Sequence, residues 1–300
     1  MKKFFSYLFV FLIAFILIDQ ISGRIILNGI QKFYGLKQHS NLLIIGHSHV
    51  MLAIDKEDLE KNTGLKVSKY TREGVGVYDR YFMTKQFLDS PYSDSLQTVI
   101  YGVDQFSFVN SGLSDNSYKL FYPFMDERTI DKYIKDNAVD DWDYYQHKLF
   151  KTTRYSDPLL NASIRGYQNN YSNYKVGNLN VELLKKQMTS GKSQFNRKIE
   201  MDPFLMETFE QTMDMLSERG IRVILLNTPI VDILKKGNLE SYEKIINYFS
   251  DYASAHENIE YWDFNPEYSS DYSIFYDPIH LNPKGQQIIT KEINKKLSVI

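Results

Sequence analysis

Ser48 stands between two histidines in Gly46-His47-Ser48-His49, directly after the apolar run Asn41–Ile45. An imidazole that takes the proton of a hydroxyl turns a weak nucleophile into a strong one, so this segment holds the material for covalent catalysis. Alone, it reads more readily as a plain strand-to-helix turn with serine in a preferred capping place. Near the other end of the chain, Tyr276-Asp277-Pro278-Ile279-His280-Leu281-Asn282 precedes the last helical pattern. Asp277 and His280, three residues apart, share one side of a tight turn or first helical turn, within reach of each other. A capping Asp followed by a surface His is the plainer version of that spacing. Together the two segments supply a nucleophile, a base and a carboxylate to orient the base.

His47 and His49 share a face of an extended chain, and with Asp277 and His280 they offer nitrogen and oxygen donors for a metal. The Asp-x-His opening and Gly-Asn-His block of calcineurin-like phosphoesterases are absent, however, and neither metal nor cofactor is expected. One of the two histidines should line a substrate pocket and the other pack on the sheet; His47, His49 and Asp104 are the expected substrate-binding set. Thr189-Ser190-Gly191-Lys192-Ser193 has the look of a phosphate loop, but Lys186 stands where its first glycine belongs and no strand precedes it. His39, His147 and His256 lie in polar surroundings and are expected in solvent.

The elements that must position these groups alternate. Strands are expected at Asn41–Ile45, Leu65–Tyr70, Thr98–Val103, Ile221–Leu226 and Ile259–Phe264. Helical spacing runs over Asp55–Asn62, Tyr78–Leu88, Phe204–Arg219, Glu240–His256 and Pro283–Leu297. Strands separated by helices imply a mostly parallel sheet covered on both faces, a three-layer α/β/α sandwich. Between about 110 and 200 the rhythm fails in a stretch rich in Tyr, Asn, Ser and Asp, read here as an insertion.

Lys2 and Lys3 precede Phe4–Ile18, in which only Ser6 and Tyr7 carry polar atoms. As a helix this run is about 22 Å long, somewhat short of a ~30 Å hydrocarbon core. Residues 1–24 are therefore expected to be an uncleaved signal anchor, with 25–300 as the α/β domain. The rival readings are a cleaved signal peptide, for which Ile21-Ser22-Gly23 makes a weak cleavage site, and a buried helix. The two lysines favour a cytoplasmic N-terminus and an extracytoplasmic body. The 300 residues carry 35 Lys and Arg against 37 Asp and Glu, a net charge of −2, which argues against nucleic acid as a partner. Without cysteine, thiolate metal sites, disulfides and cysteine nucleophiles are excluded.

A serine after the first strand and Asp-x-x-His before the last helix resemble the SGNH (GDSL-like) hydrolase family. Gly46-His47-Ser48 agrees with its Gly-Asp-Ser block at two of three positions, and Asp277 and His280 match its last block. Phe275 through Gly285 looks especially like membrane-anchored envelope relatives, akin to alginate O-acetylation and teichoic-acid D-alanylation proteins. The resemblance implies Ser48 as nucleophile, His280 as base and Asp277 as its orienting partner. It also implies an oxyanion hole from Ser48 and a glycine at 74 or 76. The family's third block, Gly-x-Asn-Asp, is replaced by Gly102-Val103-Asp104-Gln105. An ionised Asp cannot donate to an oxyanion, and losing one donor costs about 100- to 1000-fold in rate unless Gln105 fills in.

The expected function is a membrane-anchored, extracytoplasmic serine esterase or O-acyltransferase on acyl esters of cell-envelope glycans, in a bacterial envelope. Its partners would be an acylated glycan or acyl donor and a membrane acyltransferase. The alternative is a catalytically silent relative that binds a glycan or a membrane partner.

Overall fold

Five short strands, the central three apolar enough to be buried on both faces, form one parallel sheet in this computed structural model, which describes residues 1–109, 116–190, 198–235 and 239–298. From the N-terminus the elements are α1 (Lys2–Tyr34), β1 (Leu42–Gly46), α2 (Ser48–Ala53), α3 (Lys56–Thr63), β2 (Val67–Thr71), α4 (Val77–Leu88) and β3 (Thr98–Val103). Then come α5 (Arg128–Asn137), α6 (Asp141–Leu149), α7 (Asp157–Tyr167), α8 (Val181–Thr189) and α9 (Pro203–Ser217). Next are β4 (Arg222–Asn227), α10 (Leu239–Ser254), β5 (Ile259–Asp263) and α11 (Asn265–Tyr268). A hairpin of β6 (Phe275–Asp277) and β7 (His280–Leu281) leads into α12 (Pro283–Ser298).

The described chain divides into two units, Met1–Lys37 with Asn116–Tyr171, and Gln38–Asp115 with Ser172–Ile300. The second holds the sheet, in the order β2-β1-β3-β4-β5 with every neighbouring pair parallel. Alternate strand residues serve opposite faces. Leu42, Ile44, Ile100, Ile224 and Leu226 join Val50 of α2, Leu59 of α3 and Ile289 and Ile293 of α12 in one core. On the other face Tyr101 meets Phe209 of α9 with ring centroids 5.9 Å apart, and α4 packs on α9. The sheet is thus covered on both sides, and the α/β expectation holds.

In the first unit α1 has two halves. From Phe4 to Ile18 its large apolar side chains are exposed on all sides. Beyond that the helix docks on the segment 150–167. Asp19 accepts the backbone N–H groups of Lys151 (2.8 Å) and Thr152 (2.9 Å), while Tyr155 and Tyr167 donate to the carbonyls of Gly23 and Ile25. Gly166 of α7 lies so near Gly29 that a Cβ there would overlap the Gly29 carbonyl. α1 is long and apolar enough to span a membrane, with a mean hydropathy of 2.2 over its most apolar window. The expected division at 24/25 falls inside this continuous helix.

The stretch read as an insertion, about 110 to 200, is divided between the two units. Residues 116–171 carry the helices α5, α6 and α7, and α8 belongs to the unit with the sheet. In α6 the inward face is polar, which hides it from an apolar pattern: Asp143 accepts the hydroxyls of Tyr118 and Tyr122, whereas α5 buries Ile130, Tyr133 and Ile134. His147 is accordingly not in solvent but stacked on Tyr122 at 4.0 Å, and His256 stacks on Tyr252 at 4.3 Å. His39 is exposed as expected. In the phosphate-loop look-alike, Thr189 ends α8, and Gly191, Lys192 and Ser193 lie outside the described residues.

Candidate active site

β1 ends at Gly46 and α2 begins at Ser48, which delivers the serine to the carboxyl edge of the sheet. β1 and β3 are neighbours where the strand order reverses, the place at which doubly wound sheets open a crevice. Glycine is needed at Gly46 for close packing, since its φ is not positive. A Cβ on Gly46 would lie 2.8 Å from Val50 Cβ, and one on Gly102 would overlap Val50 Cγ2. Val50 sits in a notch between the ends of β1 and β3, and that notch seats α2. Gly102→Ala is therefore expected to destabilise the fold by about 1–3 kcal/mol, since β-branched Val50 has little freedom to yield. Chemical denaturation would read the loss.

His280 comes from the β6–β7 hairpin, 232 residues from Ser48. Asp277 Oδ1 accepts the backbone N–H groups of Ile279 (3.0 Å) and His280 (2.9 Å), which closes the turn. Its Oδ2 lies 2.7 Å from His280 Nδ1, and His280 Nε2 lies 2.8 Å from Ser48 Oγ. The carboxylate favours the proton on Nδ1, which leaves the Nε2 lone pair to accept the Ser48 hydroxyl. The backbone donors serve the carboxylate and not the ring, so Asp277 is the group that sets the tautomer.

Burial lowers the His280 pKa, with Asp277 opposing, and the imidazole is neutral at pH 7. Burial disfavours the charged form of Asp277 too, but the bond from His280 and the two backbone N–H groups hold its carboxyl below the usual range.

A second cluster lies beside the first. His47 Nε2 and His49 Nδ1, both sealed from solvent, lie 3.1 and 3.0 Å from Asp104 Oδ2, off the best hydrogen-bonding line. Asp104 Oδ1 accepts the N–H of Phe106 (2.8 Å) and the hydroxyl of Ser107 (3.3 Å). Burial works against this carboxylate, yet the two imidazoles outweigh it and hold Asp104 well below the usual range. Both oxygens of the Asp104 carboxylate are thus engaged. Burial, then the nearby His47, lowers the His49 pKa. A neutral ring with Nδ1 against a carboxylate carries its proton there, which leaves an Nε2 lone pair without a partner among the described residues.

By type and distance these three residues could also hold a metal ion, their ligand atoms lying within 4.8 Å of one another. His47 opposes it: its Nδ1 accepts the His49 backbone N–H at 3.2 Å, so the neutral ring keeps its proton on Nε2, the atom that would bind. Metal-bound imidazoles ordinarily donate from the other nitrogen. Asp277 and His280, the other expected donors, form their own pair.

Ser48, His47, His49, Asp104 and His280 line one cleft of about 220 Å³ with Gly74, Gly76 and Arg80. The oxyanion donors divide. The Ser48 N–H opens α2 and has no acceptor within the helix. Gly74, at φ 77°, lines the cleft, and its N–H has no acceptor among the described residues. Gly76 is not available: its N–H donates to Asp79 Oδ2 at 2.8 Å to cap α4. Gln105 does not line the cleft, and its side chain is buried.

Arg80, a residue the sequence reading passed over, lines the cleft instead. Its Nε donates to the Gly76 carbonyl at 3.1 Å and its Nη1 to that of Gly102, while the guanidinium lies 4.8 Å from the Tyr101 ring centroid. Nη2 keeps no acceptor among the described residues. Between Asp79 and Lys85 in a polar and aromatic helix, Arg80 carries no local signal of this role.

Comparison with protein-family models and with curated proteins gives no match. Similar solved structures include a Streptococcus pneumoniae protein provisionally named a platelet activating factor, at 11% identity and TM-score 0.43, covering 97% of this chain and 99% of that one. Another is a Bacteroides fragilis protein provisionally named an acylhydrolase, at 11% identity and TM-score 0.42, covering 89% and 94%. At these scores the likeness carries no functional information.

Proposed function

We propose that the chain is a serine-dependent acyl-ester enzyme of the SGNH type. The reading is carried by the unbroken relay from Ser48 Oγ through His280 to Asp277, at 2.8 and 2.7 Å, in a cleft at the reversal of strand order. Ser48 Oγ attacks the ester carbonyl carbon as its proton passes to His280 Nε2, and Asp277 stabilises the imidazolium. Charge gathers on the carbonyl oxygen, opposed by the N–H groups of Ser48 and Gly74 and by the cation of Arg80. The C–O bond to the alcohol then breaks, the alcohol leaves with the proton from His280, and an acyl-Ser48 ester remains. Water or a sugar hydroxyl next gives its proton to the same nitrogen and attacks the acyl carbon; the bond from that carbon to Ser48 Oγ breaks, and Oγ takes the proton back from His280. His47, His49 and Asp104 form the wall that meets the substrate, with His49 Nε2 as an acceptor for an incoming hydroxyl.

The finer reading is an esterase or O-acyltransferase held in a bacterial cell membrane by α1, its N-terminus cytoplasmic and its sheet-bearing unit outside. It would act on short acyl esters of envelope glycans, with a membrane acyltransferase as a partner. A cleft of about 220 Å³ is below the ~300–1,000 Å³ of sites that enclose a whole drug-sized ligand, which suits a short acyl group on a carrier left outside. Turnover of 4-nitrophenyl acetate by the full chain in detergent is expected to exceed that of the octanoate by at least about tenfold in kcat/KM. Equal rates would sink the short-acyl reading. Glycan binding with no turnover of any ester would favour the silent alternative.

The pH profile has a definite sign. His280 acts as a base only when neutral, and its pKa lies below the ordinary 6.5. Activity should fall as pH drops through a midpoint below 6.5, and remain on its plateau at pH 7. An acid-limb midpoint above 7 in kcat/KM would exclude His280, in this environment, as the base.

A further inference from the structure

In α6 the usual division of a surface helix is turned round. Its polar groups face the rest of the first unit: Asp143 accepts the hydroxyls of Tyr118 (2.8 Å) and Tyr122 (2.9 Å), and His147 stacks on Tyr122. Outward go Trp142, Tyr145 and Leu149 at helical spacing, flanked by Val139 and Phe150. Trp142 is 72% exposed and Leu149 65%. A helix in water carries its apolar stripe inward, so this one is built for an apolar neighbour outside the chain.

What that neighbour is follows from α1. The Phe150 ring meets the Phe15 ring edge-on at 6.1 Å, in the last turn of the exposed apolar run Phe4–Ile18. One turn further, Asp19 is bonded to the backbone of Lys151 and Thr152. The end of α6 therefore lies at the level where α1 changes from wholly apolar to polar. If α1 spans a bilayer, that level is the edge of the hydrocarbon, where Trp and Tyr concentrate. The apolar run is about 22 Å long against a core of about 30 Å, so the bilayer is drawn toward the groups that flank it.

We propose that α6 is a second membrane contact, lying in the lipid interface beside α1 with Trp142, Tyr145, Leu149 and Phe150 among the headgroups and upper acyl chains. The occupant is lipid, since the stripe continues the apolar surface of α1 without a break at Phe15 and Phe150. This inference rests on the reading of α1 as an anchor. It makes the first unit a two-point mount, one helix through the membrane and one on it.

The chain has two tryptophans, Trp142 and Trp262, and Trp262 is buried in the sheet-bearing unit. Trp262→Phe leaves Trp142 as the single reporter, and the difference spectrum of the unaltered chain and Trp142→Phe gives the same signal should Trp262→Phe fail to fold. The chain is reconstituted in vesicles of phosphatidylcholine and phosphatidylglycerol at 3:1, and flotation is measured first. Trp142 emission is expected to be blue-shifted, shielded from acrylamide and quenched by lipids brominated high on the acyl chain more than by those brominated near its end. Chain that does not float overturns the anchor reading itself. Chain that floats with Trp142 open to acrylamide and untouched by brominated lipid overturns the α6 contact alone. Shielding that rises with protein-to-lipid ratio, without bromolipid quenching, assigns the stripe to a second copy or another protein and also overturns it.

Discussion

Asp277→Asn is expected to lower kcat/KM for a short acyl ester by about 10³- to 10⁴-fold with little change in the fold. The physical reason is the proton on His280. Asp277 Oδ2 is 2.7 Å from Nδ1 and holds the proton there, leaving Nε2 free to accept from Ser48. An Asn in the same place can keep its oxygen toward the backbone N–H groups of Ile279 and His280, which now bond to Oδ1. Its NH₂ then faces Nδ1 and drives the ring proton to Nε2, where it turns the base into a second donor against the serine. Were those backbone groups bonded to the ring itself, the loss would be mild. A drop below about tenfold, measured on initial rates at pH 7.5, would mean that something other than Asp277 sets the tautomer.

Ser48→Ala carries the larger effect, a loss of about 10⁶-fold in kcat if the hydroxyl is the nucleophile, with any residue of activity coming from the oxyanion donors and binding. The substitution should not disturb the fold. Ser48 opens α2, but the side chain that caps the helix is that of His47, whose Nδ1 accepts the His49 N–H. The seat of the helix is Val50 in its glycine notch. An unchanged denaturation midpoint beside lost turnover is the expected pair of results. Turnover that survives would move the chemistry to the neighbouring cluster of His47, His49 and Asp104.

The parts of the fold that could be read in advance were those where one physical signal dominates. The three central strands β1, β3 and β4 are short apolar runs because they are buried on both faces, and the predicted bounds of all five strands agree with β1 to β5 within two residues or so. Asp277 and His280 were legible as a pair because a three-residue spacing in a turn leaves little freedom. Their meeting with Ser48 was an expectation from resemblance, since no local pattern joins residues 232 apart.

What stayed hidden depends on contacts between distant segments. The sequence offers two glycines at 74 and 76, but only the bond from the Gly76 N–H to Asp79 separates them as oxyanion donors. Asp104 looked like a lost donor, and the ring nitrogens that face its carboxylate come from His47 and His49 across the strand end. Arg80 bridges the loop before α4 and the end of β3, and nothing in its neighbours announces either partner. Among the helices between 116 and 171, α6 wears its polar face inward, so the rule that reads a buried face from apolar residues fails there.

The central claim is that Ser48 is an activated nucleophile, and the most direct measurement is its labelling by a fluorophosphonate probe. The full chain in detergent is the right material, because truncation at 24 would remove Asp19 and Gly23, which bond to Lys151, Thr152 and Tyr155. Stoichiometric labelling that vanishes in Ser48→Ala is the predicted result, with the modified peptide containing Ser48. A folded chain that takes no label, or takes it equally in Ser48→Ala, would contradict the claim.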